Sequence, residues 1–350
     1  MERSDGAIVR QYKRERGKYL ELEEIIYGIL KDIIRDNEFF VMDVAHRTKE
    51  IDSLKDKIER KGGKYASLMD VKDLCGFRII CYFSDTVDKI AKALEEVFVF
   101  DRENSIDKRA TLQSTQFGYL SLHCICSLPK KDIYPEEMWG VPFEIQIRTV
   151  LQHAWAEIEH DLGYKSDFGV PKAIRRNFSR VASLLEIADR EFLAIRDDSN
   201  EYTKQIRERI NSSKGDYVPI DRVSLSEYLR NNGEMIKFIN TVYEKLGVEI
   251  EYVDPGTFIK QLEWLGVETI GDLTVLFKNN QQYVYDMIKT TVDDMGIDIM
   301  STAAVLRLMC EGELIRGKLK EPQIRRYLSV SYSDPAKIER NLNRILGREE

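Results

Sequence analysis

The sequence predicts an α+β fold, with a mixed β-sheet domain flanked by helices over residues 1–210 and a mostly α-helical domain over 211–350. Three observations predict it. Strand-like runs, LCGFRIICYF, GYLSLHCICSL and PFEIQIRT, lie in the first half of the chain. Helical periodicity surrounds them, in the order helix, strand, helix, strand, strand, helix. After the turn-rich segment SSKGDYVP the pattern is helical almost throughout, with punctuation at Gly247, Pro255-Gly256, Gly266, Gly271 and Gly296.

Taken in order, residues 7 to about 62 read as almost wholly helical, with Tyr19, Leu20, Ile25, Ile26, Ile29 and Leu30 at helical spacing and Gly62-Gly63 as the stop. LCGFRIICYF follows as a buried strand. In SDTVDKIAKALEEVF, Ser84 or Asp85 is placed to cap a helix whose Val87, Ile90, Ala91, Leu94 and Val97 form one apolar stripe. Two further strands precede a helix over about 150–162, and residues 172–210 form another long helical stretch, apolar at Leu184, Leu185, Ile187, Ala188, Phe192 and Ile195.

Composition narrows the function. With 350 residues, 43% hydrophobic and 32% charged, the chain has room for two domains and reads as a cytosolic globular protein. It has no apolar run of about 18 residues and no signal-peptide core near its start, so no membrane role is expected. A net charge of −7 without a basic tail argues against binding dominated by nucleic-acid phosphates. The five cysteines lack disulfide or zinc spacing and read as buried hydrophobes; Cys124 and Cys126, as C-x-C on a strand, are the pair with a metal alternative.

All four histidines, His46, His123, His153 and His160, precede residue 166, and the other chemistry-bearing residues gather around them. Alternation in FEIQIRT sets Phe143, Ile145 and Ile147 on one face and Glu144, Gln146 and Arg148 on the other. In GYLSLHCIC the residues Tyr119, Ser121 and His123 share a face. Paired in one sheet, the two strands would line a pocket. Thr149 and Gln152 form a capping-box pattern opening a helix, on which His153, Glu157, His160 and Tyr164 make a polar stripe. Trp155, Ile158 and Leu162 make its apolar stripe, facing a core. H-E-x-x-H is absent, so the polar stripe reads as a hydrogen-bonded or substrate-contacting surface rather than a zinc site.

Lys49, Ser53 and Lys57 recur every four residues with Arg47 at the edge, a helical face suited to a polyphosphate. Asp70 and Asp73 precede the apolar strand that contains Arg78, a charge that needs a partner or ligand there. Asp73 and Glu144 are the pair chosen to hold Mg²⁺, which keeps waters and bridges substrate phosphates. These parts point to phosphoryl, pyrophosphoryl or nucleotidyl transfer, without a Walker loop or a kinase signature.

Four co-ordered motifs resemble the RelA/SpoT-type (p)ppGpp synthetase domain. They are R-x-K-x-x-x-S-x-x-x-K (Arg47, Lys49, Ser53, Lys57), D-L-x-G-F-R (Asp73, Gly76, Arg78), G-Y-x-S-x-H (Gly118, Tyr119, Ser121, His123), and E-I-Q-I-R-T with H-A-W-A-E-x-E-H. The resemblance implies a nucleotidyltransferase-like fold that transfers the pyrophosphate of ATP to the 3′-hydroxyl of GTP or GDP, releasing AMP. It implies Mg²⁺ on Asp73 and Glu144, with Glu144 also helping to activate the hydroxyl. Arg47 and Arg78 would flank the adenine, and Lys49, Ser53 and Lys57 would meet the ATP phosphates. Tyr119 would stack on guanine, His123, Gln146 and Arg148 would orient the acceptor, and His153 and Glu157 would support the acceptor side. The segment before Gly118 departs from the family's proline-lysine pattern, with Lys108 and Arg109 available for phosphate contacts. With neither hydrolase nor ribosome-binding domains recognisable, a synthetase-only protein with a helical extension is expected.

For residues 221–350 two readings stand, a regulatory module and a docked or homo-oligomerising structural domain, with Trp264, Leu265, Leu273 and Leu276 packed in a small helix-turn-helix unit. For the whole chain, the alternatives are a toxin-like enzyme with the same donor and another acceptor, an adenine nucleotide or the 3′ end of tRNA, and an inactive nucleotide-sensing module.

Overall fold

The computed structural model describes residues 2–107, 121–164, 172–212 and 214–348. The chain divides into two compact units, residues 1–196 and 197–350. The first comprises α1 (Glu2–Asp36), β1 (Val41–Thr48), α2 (Ile51–Lys61), β2 (Cys75–Cys81), α3 (Ser84–Val97), β3 (Val99–Phe100), β4 (Ile106–Asp107), β5 (Leu122–Ser127), β6 (Phe143–Thr149), α4 (Val150–Tyr164) and most of α5 (Lys172–Ile210).

The sheet order is β1-β2-β6-β5-β3, with β4 also on β5. The β2–β6 pairing is parallel and the others are antiparallel, the mixed sheet that the sequence predicts. Period-two alternation gives this sheet two unlike faces. One face buries Phe77, Ile79, Phe143, Ile145 and Ile147 in a core with Leu22, Ile26 and Leu30 of α1 and Val87, Ile90 and Leu94 of α3. Cys124 and Cys126 belong to that core, where their side chains are buried. The other face carries Arg47, Gly76, Arg78, Glu144, Gln146, Arg148 and His123 in adjacent register.

Several expectations are corrected. Residues 41–48 are not helical but form β1, because pairing with β2 from Val41↔Cys81 to Thr48↔Cys75 overrides the helical surroundings. Lys49 therefore lies between β1 and α2, and the spacing of four holds on a helix for Ser53 and Lys57 alone. The N-cap of α3 is Phe83, with neither Ser84 nor Asp85 capping; Asp85 instead binds Arg196 at 2.8 Å and Lys89 at 2.6 Å. In α4 the capping box forms as predicted, Gln152 N–H to Thr149 Oγ1 at 3.1 Å and Thr149 N–H to Gln152 Oε1 at 3.0 Å. Its apolar stripe does not all reach a core. Trp155 is buried and donates to the Phe178 carbonyl, but Ile158 and Leu162 are exposed, as nothing among the described residues covers them.

The second unit is helical, with α6 (Arg222–Asn231), α7 (Gly233–Leu246), α8 (Ile259–Trp264), α9 (Ile270–Met295), α10 (Thr302–Arg316), α11 (Glu321–Ser331) and α12 (Pro335–Ile345), plus a parallel pair, β7 (Glu249–Glu251) and β8 (Ile299–Ser301). Gly247 and Gly296 close α7 and α9 in the left-handed conformation, as their positions suggest. Gly271 is no stop: it lies in the first turn of α9, where a Cβ would come within 2.9 Å of the Asp216 carbonyl oxygen. Leu273 and Leu276 are buried, with Trp264 and Leu265 packed against the same core. The segment read as a linker is built into this unit, since Val218 is fully buried and Ile220 N–H bonds the Glu268 carbonyl.

Candidate active site

The polar face of the sheet and the chain just before α2 and β2 form one cleft. It is lined by Ala45, His46, Arg47, Lys49, Asp73, Gly76, Phe77, Arg78, Glu144 and Gln146. Register accounts for the grouping. Gly76 of β2 lies between Arg47 of β1 and Glu144 of β6, and Arg78 lies beside Gln146, which in turn pairs with His123 of β5. A Cβ added to Gly76 would meet nothing within 4 Å, so the missing side chain leaves the cleft floor open.

Glu144 is the centre of a fixed polar network. His123 Nδ1 donates to its Oε1 at 2.8 Å, and Gln146 Nε2 donates to its Oε2 at 2.8 Å. Arg148, itself buried, donates to Gln146 Oε1. Burial would raise the Glu144 pKa, but the His123 hydrogen bond and charge, with Gln146 and Lys57, outweigh it and hold the carboxyl at about 2. It is therefore ionised at any working pH.

Asp73 is the second carboxylate. Its Oδ2 receives Lys57 Nζ at 2.5 Å and Lys49 Nζ at 3.2 Å. Its Oδ1 is buried without a hydrogen bond, as are Arg78 Nε and His123 Nε2. Two carboxylates on one cleft, one with an unused oxygen and no sulfur nearby in the lining, fit a hard oxygen-seeking cation. No cluster of three acidic, histidine or cysteine side chains suited to a metal exists among the described residues. A cation there would complete its shell with water and ligand oxygens.

Arg78, the charge within an apolar strand, finds its partner in Glu157 of α4, Nη1 to Oε1 at 2.8 Å across 79 residues of sequence. His153 sits 3.7 Å from the same carboxylate oxygen. Burial and the Arg78 guanidinium hold its imidazole below the ordinary range, and hence neutral near pH 7. Asp70 has a local role, its carboxylate accepting the backbone N–H groups of Ala66 and Ser67.

Of the residues singled out from sequence, Arg47, Lys49, Asp73, Arg78, Glu144 and Gln146 line the cleft directly. Lys57, His123, Arg148 and Glu157 join it through Asp73, Glu144, Gln146 and Arg78 respectively. Ser53 is exposed on α2, one turn before Lys57, outside the lining. His160 is exposed on α4. Lys108, Arg109, Gly118 and Tyr119 lie outside the described residues. Sequence reasoning gave no part to Ala45 and Gly76, although the small residue in D-L-x-G-F-R, at a strand position facing polar neighbours, is a signal for open space.

Residues 46–168 match a family model described as a region found in RelA / SpoT proteins. The GTP pyrophosphokinase YjbM of Bacillus subtilis (strain 168) is 30% identical over 159 residues, 45% of this chain and 73% of that protein. The chain belongs to the RelA/SpoT family. It is an enzyme of the GTP pyrophosphokinase type, a transferase. A second relative, the GTP pyrophosphokinase YwaC of the same organism, is 28% identical over 154 residues, 43% of this chain and 71% of its own. Among solved structures, small alarmone synthetase 2 from Bacillus subtilis is 26% identical, with a TM-score of 0.46, covering 53% of this chain and 98% of that one. Small alarmone synthetase 1 bound to its product pppGpp is 26% identical, TM-score 0.47, covering 55% and 99%. Among the described residues, no helix is long and apolar enough to cross a membrane.

Proposed function

We propose that this RelA/SpoT-family enzyme transfers the pyrophosphate of ATP to the ribose 3′-hydroxyl of GTP or GDP, giving (p)ppGpp and AMP. One observation carries the reading: two carboxylates, two lysines and two arginines converge on one cleft of the sheet, and all six lie within the family-matched residues. Few other chemistries need so much positive charge beside paired acids. In the reaction the 3′-oxygen bonds to the β-phosphorus of ATP, the bond from that phosphorus to the α–β bridging oxygen breaks, and AMP leaves with the bond's electrons while the hydroxyl proton is released.

Each side chain has a part in this scheme. Arg47 and Arg78 flank the adenine, with planar guanidiniums suited to stacking. Lys49 and Lys57 move from Asp73 to the phosphates as ATP enters, and Ser53 extends that side. Asp73 and Glu144 are the residues that would hold Mg²⁺, which supplies charge neutralisation at the phosphates. Glu144, held at about 2, is a fixed negative charge rather than a store for the hydroxyl proton. His123, Gln146 and Arg148 keep it in place and face the acceptor. Tyr119 stacks on the guanine, and His153 and Glu157 support Arg78 from α4.

The test is product identification. Purified protein is incubated with Mg²⁺ and γ-labelled ATP, and with GTP, GDP, an adenine nucleotide or tRNA as acceptor. Label on guanosine nucleotides supports the proposal. Label on the adenine nucleotide or tRNA alone replaces the acceptor, and no transfer to any of the four refutes it. The reading places the enzyme in the cytoplasm and leaves residues 211–350 as a helical domain that either regulates the synthetase or serves as a structural or oligomerising domain, which a truncation assay in the same format distinguishes.

A further inference from the structure

The strand β1 lies at the margin of the sheet and pairs only with β2 among the described strands. A margin strand has one ladder of hydrogen bonds, so its position needs a second constraint. Helix α1 supplies it. Tyr12, Arg16, Tyr19, Glu23 and Tyr27 recur at intervals of three and four on one flank of the helix, and each meets the chain between residues 46 and 50. Tyr12 donates its hydroxyl to the Lys49 carbonyl at 2.5 Å, and Arg16 binds Glu50 at 2.7 Å. The Tyr19 carbonyl accepts from the Thr48 hydroxyl at 3.3 Å. Glu23, 7% exposed, accepts from His46 Nδ1 through Oε1 at 2.7 Å and from the Thr48 hydroxyl through Oε2. Tyr27 stacks on the His46 ring with centroids 4.0 Å apart.

The tethered residues bracket Arg47. His46 and Thr48 point toward α1, so alternation sends Arg47 between them into the cleft. Lys49, next along, is fixed by its backbone, its carbonyl to Tyr12 and its N–H to the Leu74 carbonyl at 2.8 Å.

We propose that α1 is a splint for the donor-nucleotide half of the cleft, in which Glu23 and Tyr12 are positioning residues for Arg47 and Lys49. The proposal rests on the reading of Arg47 and Lys49 as donor contacts. The helix side of the splint, Tyr12 to Tyr27, precedes the family-matched residues 46–168, and the strand side, His46 to Glu50, lies within them. Glu23 acts through both of its oxygens: without it, His46 and Thr48 each lose a buried hydrogen bond and the strand loses its register on the helix. Tyr12 acts through one hydroxyl, and its ring is fully buried regardless.

The experiment uses the full chain, with Tyr12→Phe, Glu23→Leu, Glu23→Gln, Arg47→Ala and the Glu23→Leu/Arg47→Ala double variant. The probe is a non-hydrolysable ATP analogue, its affinity measured by calorimetry beside thermal unfolding and steady-state kinetics. Expected are about fivefold or greater weakening of the analogue by Tyr12→Phe and by Glu23→Leu, with a matching rise in KM for ATP and an unchanged KM for the acceptor. The Glu23→Leu effect should shrink in the Arg47→Ala background, because its target is gone. If Glu23→Leu does not fold, Tyr12→Phe and Glu23→Gln carry the comparison. Analogue affinity within twofold of wild type in the folded variants, or a Glu23 effect undiminished without Arg47, overturns the splint. Failure of the wild type to bind the analogue, or Arg47→Ala binding it equally well, overturns the donor reading and the splint with it.

Discussion

Lys57 holds its ammonium 2.5 Å from Asp73 Oδ2, with Lys49 at 3.2 Å on the same oxygen. Both lysines are therefore occupied by the carboxylate that a metal would need, and the two kinds of cation compete. Lys57→Ala should strengthen binding of free Mn²⁺, followed by electron paramagnetic resonance, while weakening a non-hydrolysable ATP analogue about tenfold or more, the scale of one lost charge-assisted bond. Mn²⁺ affinity unchanged in the variant would show that the lysines do not guard the carboxylate.

Glu144 offers a test by pH. Its carboxyl is held at about 2 in the folded protein, below the ordinary glutamate value, so its bonds to His123 and Gln146 stabilise the fold above the unfolded pKa of about 4.3. That contribution is lost as pH falls from about 4.3 to about 2. Glu144→Gln lacks this titration, so the wild-type melting temperature should drop toward the variant's over that window. At neutral pH the variant should lose about a hundredfold or more in kcat, as expected for removal of a charge at a phosphoryl-transfer site. Activity within tenfold of wild type would remove Glu144 from the reaction.

Gly76→Val tests the open floor between Arg47 and Glu144. The residue sits in a strand, its φ is not left-handed, and a Cβ meets nothing within 4 Å, so a β-branched side chain is compatible with the fold. It would stand in the cleft instead. The expected result is a melting temperature within about 3 °C of wild type, in line with a surface-scale change in stability, together with loss of measurable nucleotide binding by calorimetry. Retained binding would place the nucleotide elsewhere.

How far the sequence revealed this site depends on where its signals are local. Glu144, Gln146 and His123 were legible together because alternation assigns faces, and pairing β5 with β6 joins those faces. The capping box at Thr149 was legible because its two bonds span three residues. By contrast β1 is a polar margin strand between two helices, and its conformation is set by pairing with β2, a partner some thirty residues away in sequence. That error carried Lys49 onto a helix it does not occupy. The Arg78–Glu157 pair and the hold of Glu23 on His46 and Thr48 have no local signature either, since each joins elements that only the tertiary fold brings together. The exposure of Ile158 and Leu162 could not be read from periodicity, which marks a stripe without saying whether anything covers it.

The junction of β6 and α4 supplies the last prediction. Thr149 donates its hydroxyl to Asp189 Oδ2 at 2.7 Å while accepting from Gln152 N–H, and both Thr149 and Asp189 are buried. Burial raises the Asp189 pKa, and the Thr149 hydrogen bond only partly opposes it. A carboxyl raised in the fold contributes most below its unfolded pKa of about 3.9, and that contribution is lost as pH rises through the folded value. At pH 8, well above the ordinary carboxylate range, the fold therefore carries a buried charge that accepts the Thr149 hydroxyl. Asp189→Asn keeps an oxygen for that hydroxyl and removes the charge. Its melting temperature should exceed the wild type's at pH 8, and the gap should narrow as the pH is lowered toward 4. Thr149→Val, which removes the hydroxyl from both bonds, should cost about 1–3 kcal/mol in denaturant unfolding. An Asn variant less stable than wild type at pH 8 would mean that the Asp189 charge is compensated in the fold and that its burial is not the dominant influence.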